Sequence, residues 1–383
     1  MERIPFNAGH LWSTQKPILT HLDIELTHRC NNNCMHCCIN VPAGDSVALE
    51  NELATSELHR ILKEAAKLGA LQVRFTGGEP LLRSDFEELY LFARRLGMKV
   101  LLFTNGRLIT ERLADLFAHI PPLMPIEITV YGMHTESYEA VSGVRGSFAE
   151  FRRGIQFLRE RGVPFVVKGV HLPPNRGEME EFESWSTSIP WMDCPPSYAV
   201  LLEKRSKHDD PVKDRRIEAL RPSPEDVVAM TRKGRRYREE MTEFCRNFLG
   251  PPGDKLFGCG AGTSGCLDPY GRFQACLSLR TPELAYDIKN GTLMDALTVA
   301  FPNLRKMRAA NPEYLHRCGR CFIIGLCEQC PARSWNETRT LDTPLEYFCS
   351  IAHAEARELG LLRGHEHAWE VRDWQFRIDK ALS

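Results

Sequence analysis

Little in this sequence points to a charged partner or to a membrane. Its formal net charge is -1 over 383 residues, so it has no basic excess for nucleic acid or anionic lipid, and no acidic excess either. No stretch approaches the ~18 consecutive apolar residues of a membrane-spanning helix. The N-terminal run MERIPFNAGHLWSTQKPIL lacks a basic flank leading into an unbroken apolar core, which argues against a secretory signal. Internal repeats and low-complexity tracts are missing too. The expectation is a cytoplasmic globular protein with neither nucleic acid nor membrane as partner. An apolar fraction of 43% with 26% charge fits that class, and the length allows more than one domain.

Cysteine is abundant. There are 14 in the chain. In a reducing compartment disulfides are disfavoured, so thiols at this density point to metal or redox chemistry. Their distribution agrees with that. One group lies at Cys30, Cys34, Cys37 and Cys38, and another spans Cys259 to Cys349, with Cys194 and Cys245 standing apart. Isolated thiols of that kind are more often small buried hydrophobes than ligands.

From about 18 to 203 the pattern alternates between strand and helix. HLDIELT (21–27), LQVRF (71–75), KVLLF (99–103), PIEITVY (125–131), FVVKGVHL (165–172) and SYAVLLE (197–203) read as strands, most of them apolar on both faces. The segments between them carry apolar residues at helical spacing, as in ATSELHRILKEAAKLG. The fold class is α/β, a partial (β/α)6 TIM-type barrel with its ligands at the C-terminal strand ends. Residues 204–255 read as a charged, Pro-bearing connector and a bridging helix from about 224 to 248. Residues 256–350 are rich in cysteine and glycine and poor in periodicity, so metal must supply stability there. Residues 351–383 read as a closing helix and a tail, HAWEVRDWQFRI, whose alternation suits a docked strand and whose aromatics suit a peptide-docking edge, although such residues are more often packed core.

The run CNNNCMHCC follows the first strand directly. It places Cys30, Cys34 and Cys37 at C-x3-C-x2-C. A structural zinc site takes four ligands, usually as two separated pairs. A zinc knuckle of these three cysteines with His36, or simply buried thiols, are the plain alternatives. Three thiolates with one open position suit a 4Fe–4S cluster used in chemistry, whose fourth iron is free to bind a substrate or cofactor. TGGEP (76–80) closes the second strand, where two glycines let the backbone come close to a ligand. FTNG (103–106) and ITVYG (128–132) close the third and fourth strands.

With these motifs in place, residues 20 to about 200 resemble the radical S-adenosylmethionine (SAM) enzymes. The resemblance implies that SAM chelates the open iron of the Cys30/Cys34/Cys37 cluster, with reductive cleavage giving a 5′-deoxyadenosyl radical that abstracts hydrogen from substrate. It implies SAM contacts at Gly77, Gly78 and Glu79, at Asn105 toward the ribose, and at Thr129 near the carboxylate. Two positions depart from the family pattern. His36 stands where an aromatic residue stacks on adenine, and Val141 stands where an Arg holds the carboxylate, with Lys168 or Arg145 as substitutes.

The C-terminal array resembles the SPASM domain of such enzymes, with one departure: Cys327 and Cys330 are separated by two residues instead of three. The resemblance implies two auxiliary 4Fe–4S clusters, three in all. One is held by Cys259, Cys266, Cys276 and Cys330, the other by Cys318, Cys321, Cys327 and Cys349. The plain alternative is a pair of zinc sites. Such enzymes mostly modify peptides, so the expectation is an oxidoreductase that matures a ribosomally made peptide by a thioether or carbon–carbon crosslink or a related oxidation. A flavodoxin- or ferredoxin-type protein would donate electrons. With the first strand beginning near His21, a leader-binding module has no room ahead of it, and a separate leader-binding protein is expected. A sulfatase maturase is the alternative, although Leu277 stands where that enzyme needs an Asp after Cys276. A non-catalytic electron carrier is the alternative of another class.

Overall fold

The structure, a computed structural model, describes residues 19–232, 237–327 and 329–381. The N-terminal run that was read for a secretory signal lies outside the described residues, apart from Leu19 at its end. The chain forms two compact bodies. The first comprises the residues up to Leu220 with Gly260–Leu277 and Pro282–Pro302, and the second Arg221–Cys259, Ser278–Thr281 and the residues from Asn303 onward. Among the described residues no helix is long and apolar enough to cross a membrane.

The first body is built on one sheet. Its strands are β1 (His21–Thr27), β2 (Gln72–Gly77), β3 (Lys99–Thr104), β4 (Ile126–Val130), β5 (Phe165–Val170), β6 (Tyr198–Ala199), β7 (Gly265–Leu267), β8 (Arg272–Gln274) and β9 (Tyr286–Asp287). The order is β9-β8-β7-β1-β2-β3-β4-β5-β6. From β1 to β6 every pairing is parallel, which gives the partial (β/α)6 barrel. The helices that return the chain are amphipathic. Thr55–Lys67 buries Leu58, Ile61, Leu62 and Ala65, one stripe at helical spacing. Each such Leu or Ile contributes roughly 1.5–3 kcal/mol by leaving water.

Not every strand is apolar on both faces: β3 buries Val100, Leu101 and Leu102 in succession, but β1 is apolar on only one. Leu22, Ile24 and Leu26 alternate with Asp23 and Glu25 along β1. The polar face is tolerated because its charges pair across strands: Arg74 Nη1 lies 3.1 Å from Asp23 Oδ2, and Lys168 pairs with Glu127. The sixth strand shrinks to Tyr198–Ala199, and the expected connector contains a helix, Pro211–Leu220.

Three short strands from the cysteine-rich segment extend this sheet. β7 runs parallel beside β1, and β8 and β9 follow antiparallel. The turn between β7 and β8 is Asp268-Pro269-Tyr270-Gly271. Asp268 Oδ1 accepts from the Tyr270 and Arg272 amides at 2.9 and 2.8 Å, and Gly271 adopts φ +93°, open to glycine without strain.

The second body is helical: Pro224–Thr231, Tyr237–Phe248, Pro331–Thr338, Glu346–Glu358 and Trp374–Ala381. The expected bridging helix is therefore two helices, and residues 233–236 between them lie outside the described set. Its core gathers Cys245, Phe322, Ile323, Leu326, Ala352 and Ala356, with Trp369 and Trp374 packed against it. Cys245 is a core hydrophobe here. The tail docks as a helix and not as a strand. Trp374 and Ile378, four apart, share its inner face, and Phe376 is 65% exposed.

Candidate metal centres

The loop after β1 is fastened on several sides. Arg29–Cys30 pairs in parallel with Val41–Pro42, closing the loop on itself. The Asn33 and Met35 amides donate to the carbonyls of Ser142 and Val141 at 2.8 and 3.2 Å. Asn105 Nδ2 donates to Asn31 Oδ1 at 2.7 Å and stands 4.0 Å from Cys30 Sγ. Arg107 Nη1 donates to Asn31 O and Asn32 Oδ1, both at 2.5 Å, and its Nε to Glu150 at 2.8 Å. The expected ribose contact, Asn105, thus ties the cysteine loop to the end of β3.

Cys30, Cys34 and Cys37 are thiols, not disulfides. Burial, then the Glu79 charge, pushes the Cys30 thiol up to about 12. Burial raises Cys34 likewise, with the fields of Cys37 and Cys30 behind it. Thiols raised in this way keep their protons unless a bound metal replaces them. Among the described residues no three His, Cys, Asp or Glu side chains converge as a single metal ion requires. Three buried or half-buried thiols on one loop are a donor set that suits an iron–sulfur cluster.

His36 is held neutral, its pKa lowered to about 4 by burial and then by Lys213, and its Nδ1 is buried without a hydrogen-bond partner. Its ring centroid lies 6.2 Å from that of Tyr131. Gly77 and Gly78 pack against protein backbone. A Cβ on Gly77 would stand 2.2 Å from Thr27 O, and one on Gly78 2.3 Å from Arg29 O. Glu79 is fully buried and accepts from Thr104 Oγ1 at 2.8 Å, Asn105 N at 2.9 Å and Leu81 N at 3.2 Å. Burial raises its carboxyl to about 7. Thr129 lies opposite Lys168 in register, on the same face as Glu127. Lys168 is engaged by Glu127 and stands 5.0 Å over the Phe103 ring, Arg145 is exposed, and Val141 is core.

Two basic residues escaped the sequence reading. Arg205, 4% exposed, donates from both Nη1 and Nη2 to Asn40 O at 3.3 Å, and Lys213 Nζ donates to Asn40 Oδ1 at 2.8 Å. Both come from the supposed connector, whose only signal was its density of basic residues.

In the second body Cys318, Cys321, Cys327 and Cys349 line one cavity of about 300 Å³ with His353 and Trp369. Cys318 starts a single 3-10 turn whose end is Cys321, and Cys349 lies on the helix Glu346–Glu358. Burial raises Cys318 and Cys321 to about 12, and Cys327 feels Cys349, Cys321 and Cys318. Four mutually sensed thiols around one space fit a cube held by four cysteines. Cys327 lines this cavity and Cys330 does not. Of the remaining expected ligands, Cys266 and Cys276 belong to the first body, and Cys259 and Cys330 to the second.

Residues 24–185 match the Radical SAM superfamily. An Fe-coproporphyrin III synthase of Methanosarcina barkeri is 29% identical over 162 residues, 42% of this chain and 39% of that protein. A PqqA peptide cyclase of Xanthomonas campestris pv. campestris is 34% identical over 158 residues, 41% of each. The chain spans less than half the length of these curated relatives. Streptococcus suis SuiB bound to S-adenosylmethionine shares the fold, with a TM-score of 0.60 at 16% identity over 87% of this chain and 75% of that one. SuiB is also solved with its precursor peptide SuiA, with a TM-score of 0.56 at 17% identity over 84% of this chain and 75% of that one.

Proposed function

The chain carries a radical SAM domain over residues 24–185, and from that premise we propose that it is an oxidoreductase that matures a ribosomally made peptide. The observation that carries the proposal is the pairing of two thiol sets in one chain. Cys30, Cys34 and Cys37 form a three-ligand loop at the strand ends, and Cys318, Cys321, Cys327 and Cys349 line a cavity of their own. Crosslinking leaves an electron to be removed after hydrogen abstraction, and a cluster on the second set would give it a place to go. The similarity to a PqqA peptide cyclase, and the fold shared with SuiB, which binds a precursor peptide, favour a peptide as substrate.

When bound, the first cluster and SAM supply an electron and a 5′-deoxyadenosyl radical. The chain's own residues hold that chemistry in place. Asn105 and Arg107 fix Asn31 and Asn32 within the cysteine loop, and Glu79 pins the ends of β2 and β3 together through Thr104 and the Asn105 amide. His36 offers a neutral imidazole ring of the kind that stacks on an adenine face. The C-terminal region, read as a SPASM domain, relays an electron away from the substrate radical. The expected partners are a ferredoxin- or flavodoxin-type donor and a separate leader-binding protein, in the cytoplasm.

Incubating the reduced, iron-loaded protein with SAM should release 5′-deoxyadenosine, and replacing Cys30, Cys34 and Cys37 by Ala should abolish it. Undiminished release by the triple variant would sink the assignment. Co-expression with candidate precursor peptides, read by a mass loss of about 2 Da per crosslink (two hydrogens), tests the substrate class. Release of 5′-deoxyadenosine with no peptide modified in any pairing would move the reading to a small-molecule substrate.

A further inference from the structure

We infer that Arg317 and His353 together set the reduction potential of the auxiliary cluster proposed for Cys318, Cys321, Cys327 and Cys349, by presenting two N–H groups to Cys349, one from Arg317 Nη2 to its sulfur and one from His353 Nδ1 shared between its carbonyl oxygen and its sulfur. The inference rests on that cluster assignment. Arg317 Nη2 stands 3.7 Å from Cys349 Sγ, and His353 Nδ1 stands 3.6 Å from it. The other sulfurs of the cavity have no such pair of side-chain donors among the described contacts.

Arg317 is fixed in place. Its Nη1 donates to Glu313 Oε1 at 2.8 Å and Glu346 Oε1 at 2.5 Å, and its guanidinium lies 4.8 Å from the Trp369 ring centroid. The two carboxylates offset its charge, so what Arg317 brings to the cavity wall is the directed Nη2–H at Cys349. Arg317 Nε is also buried with no hydrogen-bond partner, which leaves a further donor for an acceptor such as a cluster sulfide.

The tautomer of His353 follows from its neighbours. The Ala368 amide donates to Nε2 at 3.1 Å, and an amide N–H cannot accept, so Nε2 carries the lone pair. The ring proton then sits on Nδ1, directed at Cys349 O at 2.8 Å and at Cys349 Sγ beyond it. His353 is 5% exposed and cannot trade this contact for water. Reduction adds one negative charge to the cube without changing any bond. N–H donors on a ligand sulfur stabilise the reduced form, so the potential rises. Ala368 belongs to the tail, which thereby reaches the cluster through one imidazole.

The test is a redox titration of the full iron-loaded chain followed by paramagnetic resonance, with iron content measured on each variant. R317Q should move the midpoint of one cluster negative, enough to change its oxidised-to-reduced ratio at least tenfold at a fixed poise, about 59 mV for one electron. H353Q keeps an acceptor for the Ala368 amide but removes the ring N–H, and should shift the same midpoint in the same direction. H353N, whose amide can still donate near Nδ1, should restore most of it. Full iron content with unmoved midpoints in both R317Q and H353Q overturns the tuning and leaves the cluster assignment standing. If R317Q fails to load iron, the H353Q and H353N pair decides. Unchanged iron content in a C318A/C321A variant overturns the assignment itself.

Discussion

Arg29 and Glu52 form a buried fork. Nε reaches Oε1 at 2.9 Å and Nη2 reaches Oε2 at 3.1 Å, with only 9% and 5% of the two side chains exposed. The Thr27 hydroxyl donates to the same carboxylate, and Arg83 Nη1 lies 3.6 Å from it. Residues on both sides of His28 are thus bound to one acceptor, immediately before Cys30. A fork of this kind gives direction as well as attraction, which a Lys could not match. The orientation of the cysteine loop is set here, ahead of its first cysteine.

E52Q should therefore cost more than a surface substitution. Removing one partner of a buried ion pair typically costs about 3–5 kcal/mol, because the other charge stays buried and uncompensated. Denaturant unfolding of the apo protein should show a loss of about that size, with poorer iron loading of the first cluster. A loss under about 1 kcal/mol, the value of an exposed pair, would remove the fork from the account of the loop. Replacing both residues by apolar ones of similar volume should recover much of the stability.

How far this was legible from sequence depends on range. The strand His21–Thr27 and the helix Thr55–Lys67 were readable because their patterns are local and long enough to show a period. C-x3-C-x2-C was readable because its ligands lie within eight residues. Arg205 was not, because its partner Asn40 is 165 positions away and the segment between gives no hint of the approach. The strands Gly265–Leu267 and Arg272–Gln274 are too short to show a period; the first forms because the edge of β1 offers backbone partners, and the second pairs with the first. The tail misled because Trp369, Val371, Trp374, Phe376 and Ile378 satisfy an alternating pattern, whereas the core takes Trp369 and Val371 from the segment ahead of the helix and Trp374 and Ile378 from one helical face, leaving Phe376 out. In TGGEP the glycines were read as making room for a ligand. In the structure they make room for the backbone of Thr27 and Arg29.

Glu79 should leave a pH signature on stability. Its carboxyl is raised by burial from 4.5 to about 7, so between these values the folded chain binds a proton that the unfolded chain has released. Stability from this group is therefore complete below about pH 4.5 and is lost as pH rises toward 7, at up to about 1.4 kcal/mol per pH unit. E79Q should flatten that part of the apo protein's stability profile while lowering stability at acid pH by about 1–3 kcal/mol, because an amide serves its three donors less well than the carboxyl. Parallel wild-type and E79Q profiles would show that Glu79 does not titrate in this window.

Metal content separates cubes from zinc. Anaerobic reconstitution should load about 12 iron per chain if all three thiol sets hold 4Fe–4S clusters. Replacing Cys318, Cys321, Cys327 and Cys349 by Ala should remove about 4 of them and leave 5′-deoxyadenosine release intact. About 4 iron with two zinc would return the C-terminal array to a zinc-ribbon reading.

Deleting residues 364–383 should damage the second body itself. The deletion removes Ala368, Trp369, Trp374 and Ile378 from the core cluster that also holds Phe322 and Ala356, and it strips His353 of the Ala368 amide. Losing the buried Ile378 side chain alone costs about 2–5 kcal/mol. The truncated chain should therefore unfold earlier and lose the iron held by Cys318, Cys321, Cys327 and Cys349. A fall in peptide affinity on truncation would then say nothing about docking. The sharper variant is F376A, because Phe376 is 65% exposed and leaves the core untouched. Peptide binding that weakens in F376A at unchanged melting temperature and iron content would make the tail a docking edge. Unchanged binding in F376A, with iron loss on truncation, would assign the tail to packing and to holding His353.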